Sequence, residues 1–360
     1  MTSLKPVRIR APGRIVLFGE HSDYIGLDVI PSAITLSITI EVSPREDKVV
    51  EVEYLDLDEH DEFRVGQKLS YRHKRDYLRS AFNIMRRKGC TPIRGADLRV
   101  RGEMPIAAGL SSSSALSVAA VMAAAYLSDH KMDLRDTALT AFDAEVTEFG
   151  ESGGMQDHFA SVYGGIIHLD FGEDCKVTRL AATMDGIVIG DSLEKKADTV
   201  SDIEAIKSTV VEEYAAISEH IGDFNHRTTP INQVYELFKG RPSSGRRVAE
   251  ATLRNRDLTA SALELLISRD PNPSLLGKLL DEHHSILRDG LDRSTSKIES
   301  MIAAAKAAGA LGCKINGSGG GGTMIAYAPG REQEVADAMR KSGGVPYLTS
   351  IGQGASIEPI

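Results

Sequence analysis

The segment Pro105-Ile106-Ala107-Ala108-Gly109-Leu110-Ser111-Ser112-Ser113-Ser114-Ala115-Leu116 connects two runs of different periodicity. Ala96 to Arg101 alternates apolar and polar side chains like a strand, and Leu116 to Leu127 is almost continuously apolar like a buried helix. Gly109 permits a tight turn, and four hydroxyls cluster where the helix would begin. A helix start offers unpaired N–H groups and the positive end of the helix dipole. The segment therefore predicts either a phosphate-binding loop or a serine-rich N-cap.

The bulk composition is that of an ordinary globular protein. The 360 residues suggest two domains or one large one, with 42% apolar and 26% charged residues. The net charge of −9 argues against a nucleic-acid partner, because general nucleic-acid affinity needs a basic surface. It does not exclude an anionic substrate, since the local field in a cleft can oppose the net charge.

Cysteine usage and hydropathy give expectations about the compartment. Cys90, Cys175 and Cys313 show no CxxC spacing, so neither a zinc site nor a disulfide framework is indicated. No apolar run reaches about 18 residues, and the first residues lack the apolar core of a signal peptide. We therefore expect a cytoplasmic protein without a membrane partner, either a monomer or a homodimer.

The first 26 residues predict a strand, a turn and a polar loop. Val7 to Ala11 reads as a strand, Pro12-Gly13-Arg14 as a turn, and Ile15 to Phe18 as an apolar run too short for a helix. The following stretch, Gly19-Glu20-His21-Ser22-Asp23-Tyr24-Ile25-Gly26, places five polar or ionisable groups between two glycines. Such a loop either carries chemistry or is simply a polar turn.

Later segments alternate strands and helices and then become largely helical. A compositional shift between Asp191 and Asp202 marks our predicted boundary, with an N-terminal domain at 1–190 and a C-terminal domain at 191–360. The predicted strands are Ala33 to Val42, Val49 to Tyr54 and one within Ala160 to Phe171; the predicted helices are Tyr71 to Lys88, Leu134 to Phe149 and several from Asp202 to Ala308; a hairpin or βαβ unit runs from Lys314 onward.

Two further stretches have the residue types of a chemical site. Gly317 to Gly322 is a glycine-rich loop between two short apolar strands, which indicates close backbone approach to a ligand or another segment; a flexible linker is the alternative. It fits the dinucleotide pattern GxGxxG only trivially, and no Walker loop occurs. Gly153 to Asp157 follows a helix carrying Glu145 and Glu148, which are three residues apart and so share a face that is either solvated or functional.

Together these stretches resemble the GHMP kinase superfamily, in particular its sugar kinases. Gly13 to Tyr24 resembles the galactokinase signature, Pro105 to Leu116 the phosphate loop of the superfamily, and Gly309 to Gly322 its glycine-rich third motif. The three motifs occur in the family order and span nearly the whole chain. The resemblance implies an α+β fold, with an N-terminal domain like ribosomal protein S5 domain 2, a ferredoxin-like C-terminal domain and the active site between them.

The resemblance also implies ATP and Mg²⁺ as cofactors. Ser113 and Glu145 would hold the metal, with Glu148 as the alternative carboxylate; both are hard oxygen ligands suited to Mg²⁺. The ATP-binding residues implied are Pro105, Ala107, Ala108, Gly109, Leu110, Ser111, Ser112, Ser113 and Ser114 of the phosphate loop, with Gly319, Gly320 and Gly321 of the third motif.

Catalytic and acceptor-binding residues follow from the same resemblance. Asp157 falls where the family places its catalytic aspartate, which accepts or orients the proton of the attacking hydroxyl. Arg14 would keep that carboxylate ionised and screen the incoming phosphate. The residues expected to bind hydroxyls of the sugar are Glu20, His21, Asp23 and Tyr24.

The motifs do not agree on one substrate. Glu20 to Tyr24 is galactokinase-like, whereas Gly154 to Gly165 is closer to the heptose-phosphate and fucose kinases, and Asp191 to Lys196 is only partly like the segment that closes over galactose. We predict an ATP-dependent sugar kinase acting on the anomeric hydroxyl of galactose or a related hexose or uronic acid. The alternatives are a heptose-phosphate or fucose-type kinase, a mevalonate-type kinase, and a non-catalytic sugar sensor.

Overall fold

The structure is a computed structural model that describes residues 4–105, 108–172, 174–195, 199–240 and 242–360. Two main sheets and their helices build it, and one continuous hydrophobic core runs through both halves. Among the described residues, no helix is long and apolar enough to cross a membrane.

The first main sheet has six strands in the order β12-β1-β2-β5-β3-β4. Neighbours in it are antiparallel except for β3 and β5, which are parallel. Its strands are β1 (Val7–Phe18), β2 (Ile30–Pro44), β3 (Val49–Tyr54), β4 (Glu59–Arg64), β5 (Ala96–Gly102) and β12 (Ser356–Pro359); a separate antiparallel pair is formed by β6 (Ile167–Asp170) and β7 (Lys176–Arg179).

The predicted turn at Pro12-Gly13-Arg14 is wrong, because β1 continues through it. The register with β2 shifts between Pro12 and Arg14, which is the mark of a β-bulge. Arg14 N–H donates to the carbonyl of Leu110 at 3.1 Å, so the bulge docks on the segment that leads into the serine cluster. A Cβ on Gly13 would lie 2.0 Å from Met104 Sδ, which explains why glycine occupies this position.

Helices cover one side of the first sheet and hold the serine cluster above it. The buried helix α2 (Ser112–Leu127) contacts β1 and β2, and its alanine-rich surface lets neighbouring helices approach closely. The others are α1 (Tyr77–Arg87), α3 (Leu134–Glu145) and α4 (Gln156–Tyr163). Helix α1 begins at Tyr77 rather than Tyr71 because the side chain of Asp76 caps it by accepting the N–H of Arg79.

The second main sheet has four antiparallel strands in the order β11-β8-β10-β9. Numbered along the chain, this is the 4-1-3-2 order of a ferredoxin-like unit, as predicted. Its strands are β8 (Ile187–Asp191), β9 (Gly312–Asn316), β10 (Thr323–Tyr327) and β11 (Val345–Thr349), with α10 (Glu332–Lys341) between the last two. The division of the chain at residue 190 stays a prediction; by sheet membership, β8 belongs with the later strands and β12 returns to the first sheet.

The segment between β8 and β9 is helical, as predicted. It contains α5 (Thr199–Ser218), α6 (Ile231–Phe238), α7 (Ser244–Leu266), α8 (Pro273–Ser285) and α9 (Ser296–Ala307), with a π-helical turn at Ile286–Gly290. Helix α7 reaches the loop after β1: the side-chain amide of Asn255 donates to the carbonyl of Glu20 at 2.7 Å and lies 3.2 Å from Ser22 Oγ. Helix α7 therefore packs against the loop after β1, Gly19 to Gly26, which carries the predicted acceptor-binding residues. We call this loop the acceptor loop.

Candidate active site

A cleft of about 820 Å³ lies where the two sheets meet. The polar loop after β1, the start of α2 and the start of α4 form its walls on the side of the first sheet. The segment after β8 and the loop after β9 form them on the other side. The predicted residues that line it are Arg14, Glu20, His21, Asp23, Tyr24, Ala108, Gly109, Ser111, Ser112, Ser113, Ser114, Glu145 and Asp157.

Arg14 and Asp157 form a two-point ion pair in the cleft. Arg14 Nε and Nη2 donate to the two carboxylate oxygens of Asp157 at 2.6 and 2.8 Å, and Ser111 Oγ donates to one of those oxygens at 2.6 Å. Asp157 lies in the first turn of α4, at the helix end where a negative charge is favoured. This paired, charge-assisted geometry fixes both the position and the plane of the carboxylate.

The surroundings of Asp157 keep it ionised. Burial alone would raise its pKa, but the charge and hydrogen bonds of Arg14 and the hydroxyl of Ser111 together hold the pKa below its ordinary value of 3.8. Asp157 is therefore a carboxylate at neutral pH, able to accept a hydrogen bond from an incoming hydroxyl.

The side chain of Ser111 does not cap α2, which argues against the N-cap interpretation of the serine cluster. Ser111 occupies the capping position with φ of 59°, a left-handed conformation, and makes no capping hydrogen bond. Its hydroxyl points to Asp157 instead. The Ser111 side chain therefore leaves the first N–H groups of α2 uncapped, and Ser112, Ser113 and Ser114 line the cleft beside them. The N-cap interpretation of Ser111 is wrong.

Asp23 is a second carboxylate of the cleft, in a very different environment. Burial raises its pKa to about 6, and the nearby charge of Asp157 adds to the shift, while N–H groups of Tyr24 and Gln156 oppose it. Beside it, His21 Nδ1 and the hydroxyl of Tyr24 lie 2.8 Å apart. The predicted acceptor residues His21, Asp23 and Tyr24 therefore stand together, next to Asp157.

Glu20 borders the cleft but is held by the second sheet. Its carboxylate accepts hydrogen bonds from Lys314 Nζ and from the N–H of Gly317, and only 1% of the residue is exposed. Burial raises the pKa of Glu20, against the opposing charge of Lys314, and burial lowers the pKa of Lys314. The sequence did not single out Lys314, although a lone lysine inside an apolar strand is an unusual signal.

Glu145 and Glu148 point to different places. Glu145 lines the cleft with Ser113, and one of its oxygens is 2.7 Å from His158 Nε2. Glu148 instead pairs with Arg87 and accepts from the Tyr71 hydroxyl, and the hydrogen bond from Arg87 lowers its pKa. Within the described ranges, no three His, Cys, Asp or Glu residues cluster as a metal site. Glu145 and Ser113 offer two hard oxygens, which fits Mg²⁺ held partly by substrate phosphates.

The glycine-rich loop meets the cleft only at its beginning, as far as the described residues show. Gly317 and Ser318 line the cleft, whereas Gly319 and Gly320 pack against Arg293 and Gly321 against Glu194. A Cβ on Gly319 would lie 2.5 Å from the carbonyl of Arg293, so its glycine serves close packing of two backbones.

For six predicted ATP-binding residues the structure gives no contact with the cleft. Pro105 and Leu110 are not among the residues that form the walls, and Ala107 lies outside the described residues. The ATP-binding roles of Pro105, Ala107, Leu110, Gly319, Gly320 and Gly321 stay predictions.

Three family models match the chain. They are the GHMP kinases N terminal domain at residues 76–165, the GHMP kinases C terminal domain at 262–345, and the galactokinase galactose-binding signature at 2–44. A mevalonate kinase of Thermococcus gammatolerans is 30% identical over 97% of this chain and 98% of its own length. The chain belongs to the GHMP kinases. A galactokinase of Haemophilus influenzae is 28% identical over 99% of this chain and 96% of its own length, so relatives with different substrates match comparably well.

Solved structures of GHMP kinases share the fold. The Lactococcus lactis galactokinase complexed with galactose matches with a TM-score of 0.84 and 22% identity, over 98% of this chain and 95% of that one. The Methanococcus jannaschii mevalonate kinase matches with a TM-score of 0.75 and 17% identity, over 96% and 98%. The predicted α+β GHMP kinase fold with two domains is confirmed, and the reaction class of this kinase is phosphoryl transfer.

Proposed function

We propose that this GHMP kinase is an ATP-dependent sugar kinase that phosphorylates the anomeric hydroxyl of galactose or a related hexose. The observation that carries the proposal is the pairing of Arg14 with Asp157 beside Asp23. One carboxylate is fixed and ionised where a hydroxyl would react, and a second one stands next to it to orient the rest of a polyol.

The nucleotide would bind at the start of α2. Its uncapped N–H groups and positive helix end suit a triphosphate, and the hydroxyls of Ser112 and Ser113 border the same space. Ser113 and Glu145 would hold Mg²⁺, which when bound neutralises charge on the transferring phosphate. His158 holds one oxygen of Glu145, so the carboxylate keeps a defined orientation without the metal.

Asp157 is a weak base, and this suits the reaction. Its lowered pKa makes early proton abstraction unfavourable. In a loose phosphoryl-transfer transition state the attacking oxygen forms little bond, so its proton is needed late. Asp157 would orient the hydroxyl by accepting its hydrogen bond and take the proton as the new P–O bond forms. Arg14 would stabilise the carboxylate and the nearby phosphate charge.

The charges of the cleft favour a neutral acceptor. Among the described lining residues seven are acidic and three are basic, and two of the basic ones, Arg14 and Arg75, pair with Asp157 and Glu151. A carboxylate on the acceptor would lie near Asp23, in a cleft whose described lining has more acidic than basic side chains. A hexose offers hydroxyls that donate to such oxygens, which supports hexose over uronic acid.

A mevalonate-type kinase is the second candidate. It is favoured by the 30% identity to the Thermococcus gammatolerans enzyme along nearly the full length of both chains. The same nucleotide site would serve it, but the short hydroxy acid would have to place its carboxylate in an acid-rich pocket. The galactose-binding signature at residues 2–44 and the paired His21 and Tyr24 support the sugar instead.

The deciding experiment measures ATP consumption against a panel of acceptors. The panel is galactose, glucose, fucose, galacturonate, glucuronate, N-acetylhexosamines, a heptose 7-phosphate and mevalonate. We expect turnover with a neutral hexose, and the product should be labile to mild acid as a sugar 1-phosphate is. Turnover with mevalonate alone would replace the proposal by the second candidate.

The variant Asp157→Asn separates a kinase from a sugar sensor. It should lower kcat by about 10²- to 10⁴-fold, the usual contribution of acid–base groups, while acceptor and nucleotide still bind in calorimetry. Asp58→Asn, in an exposed turn, is the matched control. If the wild-type protein binds sugar but turns over nothing on the panel, the sensor interpretation is correct.

A further inference from the structure

The end of β9 makes contacts that neither catalysis nor ligand binding explains. Lys314 is completely buried, and its ammonium donates to the Glu20 carboxylate, to the carbonyl of Val16 at 2.9 Å and to that of Ile315 at 2.7 Å. These three partners use all three of its protons. Lys314 therefore has no donor left for a substrate, although it stands within reach of the acceptor loop.

Asn316, two residues later, makes the corresponding contacts to the phosphate loop. It is fully buried, its side-chain amide donates to the carbonyl of Gly109 at 2.9 Å, and its oxygen accepts the N–H of Val16 at 3.0 Å. The same carbonyl of Gly109 accepts from Arg14 Nη1 at 2.6 Å. Asn316 thus fixes the peptide that leads into α2 and that also contacts the catalytic pair.

The next residue, Gly317, lies against both the acceptor loop and the phosphate loop. The N–H of Gly317 donates to Glu20, and a Cβ on Gly317 would lie only 3.0 Å from the carbonyl of Gly109. The acceptor loop, the phosphate loop and the end of β9 therefore meet in a buried hydrogen-bond network at the border of the cleft. Such networks hold one geometry, because any displaced polar group would be left unpaired.

We propose that Lys314 and Asn316 are positioning residues that hold the acceptor loop and the phosphate loop in fixed relation, and that Glu20 acts through Lys314 and Gly317 rather than by binding the sugar. We call the buried network of Lys314, Asn316, Glu20 and Gly317 the brace. The identity of the ligands that the two loops bind rests on the proposed function, whereas the contacts of the brace do not. The brace links residues on the two main sheets, so the spacing between acceptor and phosphate depends on β9.

Hydrogen exchange of the free protein, followed by mass spectrometry, tests the brace without any ligand. In Lys314→Met and in Asn316→Leu, peptides covering residues 19–26 and 108–114 should both exchange at least about tenfold faster, because the network opens locally. Lys306→Met is the control: its ammonium bonds Asp281 and the Leu311 carbonyl near the other end of β9, and neither loop should change. A change confined to β9 itself in both variants would overturn the proposal.

A second measurement addresses the role of Glu20. Calorimetry should show that Mg²⁺–ADP binds about tenfold more weakly to Glu20→Gln and to the double variant Glu20→Gln/Lys314→Met. The double variant should bind no more weakly than the single one, because the two residues act as a unit. The double variant buries no lone charge, so we expect it to fold even if a single variant does not. Asp23→Asn should leave nucleotide binding unchanged. If the Glu20 variants keep their Mg²⁺–ADP affinity and lose only acceptor binding, Glu20 binds the sugar and is not a positioning residue.

The two proposals fail in different ways. If the wild-type protein does not bind Mg²⁺–ADP, the proposed function is wrong, and the exchange experiment still decides the brace. If the protein is a kinase and the loops exchange independently of β9, the brace alone is wrong.

Discussion

Gly154 passes so close to Asp23 that any side chain at position 154 would collide with the carboxylate. A Cβ there would lie 1.6 Å from Asp23 Oδ2 and 2.1 Å from its Cγ. The loop before α4 thus borders the proposed acceptor pocket with backbone alone at this position. The position of Asp23 in the pocket depends on the absence of a side chain from its neighbour.

Gly154→Ala should therefore displace Asp23 and weaken acceptor binding. We expect KM for the acceptor to rise by at least about tenfold with little change in Mg²⁺–ADP affinity, because a shift of about 1 Å in a positioned group has large effects. The matched control is Gly153→Ala, whose Cβ would meet Val146 Cγ2 at an ordinary 3.4 Å. Equal kinetics for the two variants would contradict the role given to this contact.

Ser111→Ala tests whether the first serine serves the catalytic carboxylate. Loss of its hydrogen bond should raise the pKa of Asp157, so the acid limb of the kcat/KM profile moves to higher pH, and kcat should fall roughly tenfold, as for other bonds to charged groups. Ser243→Ala is the comparison, because Ser243 does cap its helix by accepting the N–H of Arg246. That variant should lose about 1 kcal/mol of stability and keep its kcat and pH profile. If Ser111→Ala merely lowers the Tm, Ser111 has no catalytic role.

Glu145→Gln and Glu148→Gln test which of these two carboxylates binds the metal. Glu145→Gln should weaken Mn²⁺ binding in the presence of ADP by about 10- to 100-fold, as followed by electron paramagnetic resonance, because a ligand that lines the cleft is lost. Glu148→Gln should leave metal binding intact and cost less than about 1 kcal/mol through its half-exposed partner Arg87. The opposite pattern would assign the metal to Glu148.

Asp23 should reduce stability at neutral pH. Its pKa in the folded protein is about 6 against 3.8 in the unfolded chain, so the folded state binds more protons between these values and stability falls as pH rises through that window. Asp23→Asn should raise the free energy of unfolding by about 1–3 kcal/mol above pH 6, with the gain disappearing near pH 4. Urea unfolding at pH 7.5 and at pH 4 measures it, with exposed Asp58→Asn as control. A pH-independent gain would mean that the carboxylate charge is not the cause.

The sequence predicted one contact of the candidate site and missed another. The resemblance placed Arg14 near Asp157, and the structure pairs them across 143 positions. It assigned Ser111 only to ATP, so the hydrogen bond from Ser111 to Asp157 was not predicted. The turn predicted at Pro12 to Arg14 failed because the propensity of a Pro-Gly pair is local. Pairing with β2 and the bond from Arg14 N–H to Leu110 outweigh it.

Glu20 shows that a sequence motif does not contain the contacts between residues far apart in the chain. A signature specifies the residue type and its neighbours along the chain, and on that basis Glu20 belongs with His21 and Asp23. Its partner Lys314 is 294 positions away and is brought to it by the second sheet. Only the packed structure reveals that a carboxylate typical of sugar binding has both oxygens engaged by protein.

The pairing of β12 with β1 has a consequence for synthesis on the ribosome. On one side, Val7 to Arg10 pair with Thr39 to Val42 of β2, and on the other side with Ser356 to Pro359 of β12. More than 300 residues separate these two sets of partners, so this edge of β1 stays open during most of the synthesis. An unpaired edge strand is a template for unwanted association. Nascent chains of this kinase that are stalled before β12 should therefore bind chaperones through β1. They should release the chaperones once β12 is available to pair with β1.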